Sequence, residues 1–64
     1  MVTINGEAVA ADGKSLVEYL AEAGYSTERV AVELNGDIVP KAVYEQTRLC
    51  AGDEVEIVAF VGGG

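Results

Sequence analysis

Sixty-four residues, half of them hydrophobic, suffice for one small globular domain with a modest core and are too few for a large enzyme pocket. Eleven acidic residues against four basic ones give a formal charge of −7, a field that repels nucleic acid and anionic membrane and favours proteins with basic docking surfaces. A single cysteine, Cys50, and no histidine exclude an internal disulfide and a structural Cys/His zinc site.

The chain opens on Val2 and Ile4 alternating with Thr3, then Asn5-Gly6, then Val9 between Ala8 and Ala10. Alternation broken by Asn-Gly predicts a β-hairpin, because both turn residues tolerate positive φ. The N-terminal segment Met1 to Gly6 has neither a basic stretch nor an apolar stretch long enough for a signal peptide, and no run approaches the ~18 apolar residues of a membrane span. A cytoplasmic location is the expectation.

Asp12-Gly13 interrupts the second strand, and Ser15-Leu16-Val17-Glu18 fits a capping box, in which Ser and Glu satisfy each other's helix-end N–H groups. Leu16, Val17, Leu20 and Ala23 fall on one helical stripe, with Glu18 and Glu22 away from it. Gly24 supplies a left-handed residue to end the helix. One amphipathic helix is predicted between residues 15 and 24.

Val30, Val32 and Leu34 alternate with Ala31 and Glu33, and Asn35-Gly36 turns the chain into Asp37-Ile38-Val39-Pro40. Pro40 cannot donate to a ladder, so this fourth strand is short or lies at an edge. Residues 41–46 fit a single helical turn before Gly52-Asp53 begins the last strand. There Val55, Ile57 and Ala59 share one face and Glu54, Glu56, Val58 and Phe60 the other, so the polar face turns apolar halfway along. Such a strand is central and covered near its end, or it presents Val58 and Phe60 to a partner. Strand, strand, helix and three further strands imply an α+β roll with the helix packed on one face of the sheet. Residues 1–61 form the single domain, and 62–64 a glycine tail.

The tail follows the last strand directly. Gly62, Gly63 and Gly64 lack side chains and reach roughly 10 Å when extended, enough to enter a partner's active site while the body stays outside. The expectation is that the terminal carboxylate is itself the functional group; the alternative is a frayed end.

Asn5-Gly6, Ser15-Leu16, the segment Val32-Glu33-Leu34-Asn35-Gly36-Asp37-Ile38-Val39-Pro40, the turn Gly52-Asp53 and the ending Phe60-Val61-Gly62-Gly63-Gly64 together resemble the ThiS family of sulfur carriers in thiamine biosynthesis. The resemblance spans the whole chain. It implies a ubiquitin-like β-grasp fold, a mixed sheet of four to five strands packed on one main helix, with the first and last strands adjacent and parallel at the sheet centre. It also implies that a ThiF-type adenylyltransferase, using ATP and magnesium, activates the carboxylate of Gly64, with Gly63 its required neighbour. A sulfur donor protein then yields a thiocarboxylate, and a ThiG-type thiazole synthase accepts the sulfur. On this reading the chain binds no cofactor, is not an enzyme, and docks through Val58, Phe60 and Val61. The third glycine, Gly62, departs from the other small residues that many relatives carry there.

Related molybdopterin-synthase small subunits share the fold and a Gly-Gly end but are typically longer. A noncovalent β-grasp interaction module, and a modifier that becomes joined to lysines, are further alternatives. Gly13-Lys14-Ser15 before a helix evokes a phosphate loop, but Ala8 stands where that motif needs Gly. Glu54 and Glu56 read as a solvated face or acidic docking patch, Tyr19, Tyr25 and Tyr44 as packing at the core edge, and Cys50 as an inert, partly buried small hydrophobe.

Overall fold

A computed structural model describes residues 1–60. The five strands are β1 (Val2–Ile4), β2 (Glu7–Val9), β3 (Val30–Leu34), β4 (Asp37–Ile38) and β5 (Glu54–Ala59), and the helix α1 is Leu16–Glu22. Single 3-10 turns occupy Thr27–Arg29 and Lys41–Val43, the second where a lone helical turn is predicted.

The strands form one sheet in the order β2-β1-β5-β3-β4. The last strand is therefore its centre. β5 runs parallel to β1, with Ile4 opposite Val55, and antiparallel to β3, with Val32 opposite Ile57. Two Asn-Gly turns build the outer hairpins. Asn5 and Gly6 have φ of 51° and 84°, and Asn35 and Gly36 have φ of 52° and 88°, the doubly left-handed pair that matches the natural twist of a two-residue hairpin. β4 is two residues long and sits at the sheet edge, as Pro40 requires.

α1 starts where its sequence signals it. The Glu18 N–H donates to Ser15 Oγ at 3.1 Å and the Ser15 N–H donates to Glu18 Oε1 at 3.3 Å, completing the capping box. At the other end, the Gly24 N–H donates to Ala21 O and the Tyr25 N–H to Leu20 O, with Gly24 at φ 86°, which is the Schellman arrangement. Leu16 and Leu20 are fully buried and Val17 packs beside the core, but Ala23 is exposed: the helix proper stops at Glu22, so the predicted stripe is one turn shorter.

The core unites Val2 and Ile4, Leu16 and Leu20, Val30 and Val32, and Val55 and Ile57 with Ala11, Val39, Tyr44 and Leu49. Each fully buried aliphatic side chain contributes about 1.5–3 kcal/mol, so these few residues carry most of the stability of a small domain. Two expectations are corrected here. Tyr44 is 3% exposed, a core residue rather than an edge one, because the 3-10 turn before it brings it into the core cluster. Cys50 is exposed: its N–H is drawn to Asp53 Oδ2 at 2.9 Å in a surface turn, while neighbouring Leu49 takes the core position. Among the described residues, no helix is long and apolar enough to cross a membrane.

Candidate functional site at the end of the central strand

Alternation along β5 divides its side chains between two surroundings. Val55 and Ile57 point into the core, whereas Glu54, Glu56, Val58 and Phe60 lie on the outer face, with Val58 and Phe60 57% and 58% exposed. Ala59 continues the inner row yet is exposed, although Val30 opposite it on β3 is buried, because β1 no longer accompanies the strand on its other side. The apolar end of β5 is thus exposed although the strand is central.

Cross-strand register extends this surface. Val58 stands opposite Ala31, Glu56 opposite Glu33, and Glu33 opposite Ile38, which is 75% exposed. The outer face therefore has an apolar end formed by Val58, Phe60 and Ala31, bordered by a row in which two carboxylates face each other. Like charges directly opposite on a sheet are unfavourable, by a few tenths to about 1 kcal/mol. No cation among the described ion pairs offsets them: those pairs join the Met1 ammonium to Asp12 at 3.0 Å and Lys14 to Glu22.

The strand that carries this face is held from both sides by the turn asparagines. The Asn5 carboxamide accepts from the Ile57 N–H at 2.7 Å and donates to Ile57 O at 3.2 Å. Asn35 Oδ1 accepts from the Glu54 N–H at 2.9 Å, and Asn35 Nδ2 donates to Asp53 Oδ1 at 3.1 Å. Asn35 to Pro40 and Gly52-Asp53, two of the segments on which the family resemblance rests, are thus joined through one hydrogen bond. The last described tie is from the Phe60 N–H to Arg29 O at 2.7 Å. Val61, Gly62, Gly63 and Gly64 lie outside the described residues.

None of the titratable groups with a shifted pKa belongs to β5. The Met1 ammonium hydrogen bond holds the Asp12 carboxyl below its ordinary range, and hydrogen bonding to Glu22 raises the Lys14 ammonium. Burial raises the Tyr19 phenol, aided by the negative charge of Tyr25 and Glu7. Among the described residues no group of His, Cys, Asp and Glu side chains is placed to hold a metal ion. A depression of about 380 Å³ lined by Val17, Thr27, Glu28, Lys41, Tyr44 and Glu45 includes no residue of β5. Lys14 and Ser15 serve the helix start and the loop beside it. Among the described residues no nucleophile is assembled with a base.

A mixed sheet with parallel first and last strands, one helix across its inner face and an exposed apolar end on the central strand defines a ubiquitin-like β-grasp protein of the carrier type. The chain belongs to the ThiS family, whose model matches residues 1–64. It is 41% identical over 64 residues to the sulfur carrier protein ThiS of Thermus thermophilus, with all of both chains covered. It is 47% identical over 64 residues to a thiazole synthase of Paramagnetospirillum magneticum, covering 98% of this chain and 20% of that one, so it spans about a fifth of that relative's length. The crystal structure of the thiamine biosynthesis protein ThiS from Geobacter metallireducens superimposes with a TM-score of 0.75 at 36% identity, over 98% of this chain and 97% of that one.

Proposed function

We propose that this chain carries sulfur on its C-terminal glycine for formation of the thiazole of thiamine. The observation that carries the reading is the position of β5 in a member of the ThiS family: the strand at the sheet centre exposes Val58 and Phe60 and leads in sequence straight into Val61-Gly62-Gly63-Gly64. A body held at the middle of its sheet offers a fixed grip beside the segment to be modified.

A C-terminal carboxylic acid has a pKa of ~3.3–3.7 and is an anion at neutral pH, which makes it a poor electrophile. A ThiF-type adenylyltransferase, with ATP and magnesium, turns the Gly64 carboxylate into an acyl-adenylate: a carboxylate oxygen bonds to the α-phosphorus and pyrophosphate departs. Hydrosulfide supplied by a donor protein then attacks the carbonyl carbon, the bond to the AMP oxygen breaks and the sulfur loses its proton to water, leaving a thiocarboxylate that a ThiG-type thiazole synthase accepts. Gly63 is the neighbour the activating site requires, and Gly62 lengthens the segment without side chains. The present chain supplies the acyl group and the docking face of Val58, Phe60 and Val61. A thiazole synthase relative that is 47% identical across 98% of this chain supports the thiamine branch over the molybdopterin one.

The test is mass spectrometry of the chain after incubation with a ThiF-type enzyme, ATP, magnesium and a sulfur donor. A carrier gains the mass difference of one oxygen replaced by sulfur, located at Gly64. No mass change would leave an interaction module, and larger conjugates would make the chain a modifier.

A further inference from the structure

Strand β5 uses the two sides of its backbone unequally. Toward β3, the peptide groups of Glu54, Glu56, Val58 and Phe60 enter the antiparallel ladder: the Asn35 N–H donates to Glu54 O at 2.7 Å, the Phe60 N–H to Arg29 O at 2.7 Å, and the register between them keeps the same parity. The alternate residues face the β1 side. There the Thr3 N–H reaches Asp53 O at 2.9 Å and the Asn5 N–H reaches Val55 O at 2.9 Å. At Ile57 the main chain of β1 has already turned away into Asn5-Gly6, and the Asn5 carboxamide takes both peptide groups in its place.

Ala59 is the next residue of that parity. Its N–H and C=O project to the side β1 has vacated, the residue is exposed, and among the described residues neither group has a partner. The central strand of the sheet thus acquires an edge at its last residue. Sheet edges with unpaired peptide groups are templates for strand addition unless they are blunted, and no proline, lysine or bulge blunts this one.

We propose that the main-chain edge at Ala59 is a strand-addition site, filled by an extended, Lys- or Arg-bearing segment of the enzyme that receives the C-terminal end of this chain. The inference rests on the carrier reading above and adds how the partner grips the chain. Charge selects the occupant. A second copy would bring another formal −7 against the first, whereas a cationic strand is attracted by that same net charge. Placement favours it as well. Ala59 lies five residues before Gly64 in sequence, so an added strand sits within about 18 Å of the group to be modified. Val58 and Phe60, which flank Ala59 in sequence, supply apolar anchors on the outer face beside the same segment.

The experiment uses the full 64-residue chain made by chemical synthesis with Ala59 replaced by N-methylalanine, which removes the outward N–H and leaves every side chain in place. Thermal unfolding is expected to match the unmodified chain, and affinity for a purified ThiF-type adenylyltransferase to fall about tenfold, the loss of one well-made hydrogen bond and some steric exclusion. N-methylvaline at position 58 is the contrast, since that N–H belongs to the β3 ladder and its loss destabilises the fold. Hydrogen exchange on the unmodified chain gives an independent readout: the Ala59 amide is expected to slow on adding the enzyme. Equal affinity, or unchanged Ala59 exchange in a complex that does form and does acquire sulfur, overturns the strand-addition site alone. A chain that neither binds the enzyme nor acquires sulfur overturns the carrier reading and this inference together.

Discussion

The carboxamide of Asn5 pairs with the main chain of Ile57 as a strand residue would, accepting from its N–H at 2.7 Å and donating to its carbonyl at 3.2 Å across 52 positions of sequence. Asn5→Asp keeps the shape and exchanges the donor for a carboxylate oxygen facing a carbonyl. The expected cost is about 2 kcal/mol, since a satisfied acceptor becomes an opposed one. Asn5→Gly keeps the left-handed turn and loses only the clamp, for about 1 kcal/mol. Urea unfolding measures both, and an Asp variant as stable as the parent would contradict the role given to this side chain.

Phe60 is 58% exposed, so Phe60→Ala is expected to change folding stability by less than about 0.5 kcal/mol. Its effect falls on docking. Loss of an aromatic anchor typically weakens an interface by about 2 kcal/mol, and Phe60→Glu adds a charge at the same place. Calorimetric titration with a ThiF-type enzyme checks the order parent, Phe60→Ala, Phe60→Glu from tightest to weakest. Unchanged affinity in both variants would remove Phe60 from the docking face.

Removing Gly63 and Gly64 is expected to abolish ATP-dependent activation while the truncated chain unfolds at the same denaturant midpoint, because among the described residues the core extends no further than Ile57. Pyrophosphate exchange reads the first effect and urea titration the second. Lost cooperativity on truncation would mean that the glycines belong to the fold.

Alkaline pH is expected to weaken the fold. Both Tyr19 and Lys14 have raised pKa values, the first through burial and the second through its hydrogen bond to Glu22, above ordinary values of 10.0 and 10.5. For each group the contribution is present in full below the unfolded pKa and is lost as pH rises through the folded one. Urea midpoints measured from about pH 8 to about pH 11 should therefore hold steady and then fall, less steeply in Tyr19→Phe. An equal fall in that variant would assign the effect elsewhere.

Much of this architecture is legible in the sequence because its signals are local. Two Asn-Gly pairs mark the hairpins, Ser15 and Glu18 mark the helix start, and period-two alternation marks β3 and β5. The errors fall where local pattern is silent. Ala23 and Ala59 fit their apolar stripes, but exposure depends on where the elements beside them end. Tyr44 is buried by a 3-10 turn whose sequence says nothing of what lies beneath it, and Cys50 is displaced outward because Leu49 occupies the interior. Asn5 and Asn35 are recognisable as turn residues, yet their partners on β5 are remote in sequence, so the clamps have no local signature. At the candidate site, the change from Glu54 and Glu56 to Val58 and Phe60 is visible as a change of chemistry along one face, and both residues prove exposed. The assignments to Val61, Gly62, Gly63 and Gly64 concern residues beyond those described.

Placing the last-made strand between the first and the third also dictates when the molecule becomes whole. Until residues 54–59 have left the ribosome, Val2 and Ile4 have no neighbour on that flank, and Val30 and Val32 have none on theirs. The nascent chain can hold its hairpins and helix only loosely, and it closes in a single late step that joins distant parts of the polypeptide. The sheet is therefore complete only once β5 has been made, and a partner that required the finished sheet would pass over half-made copies.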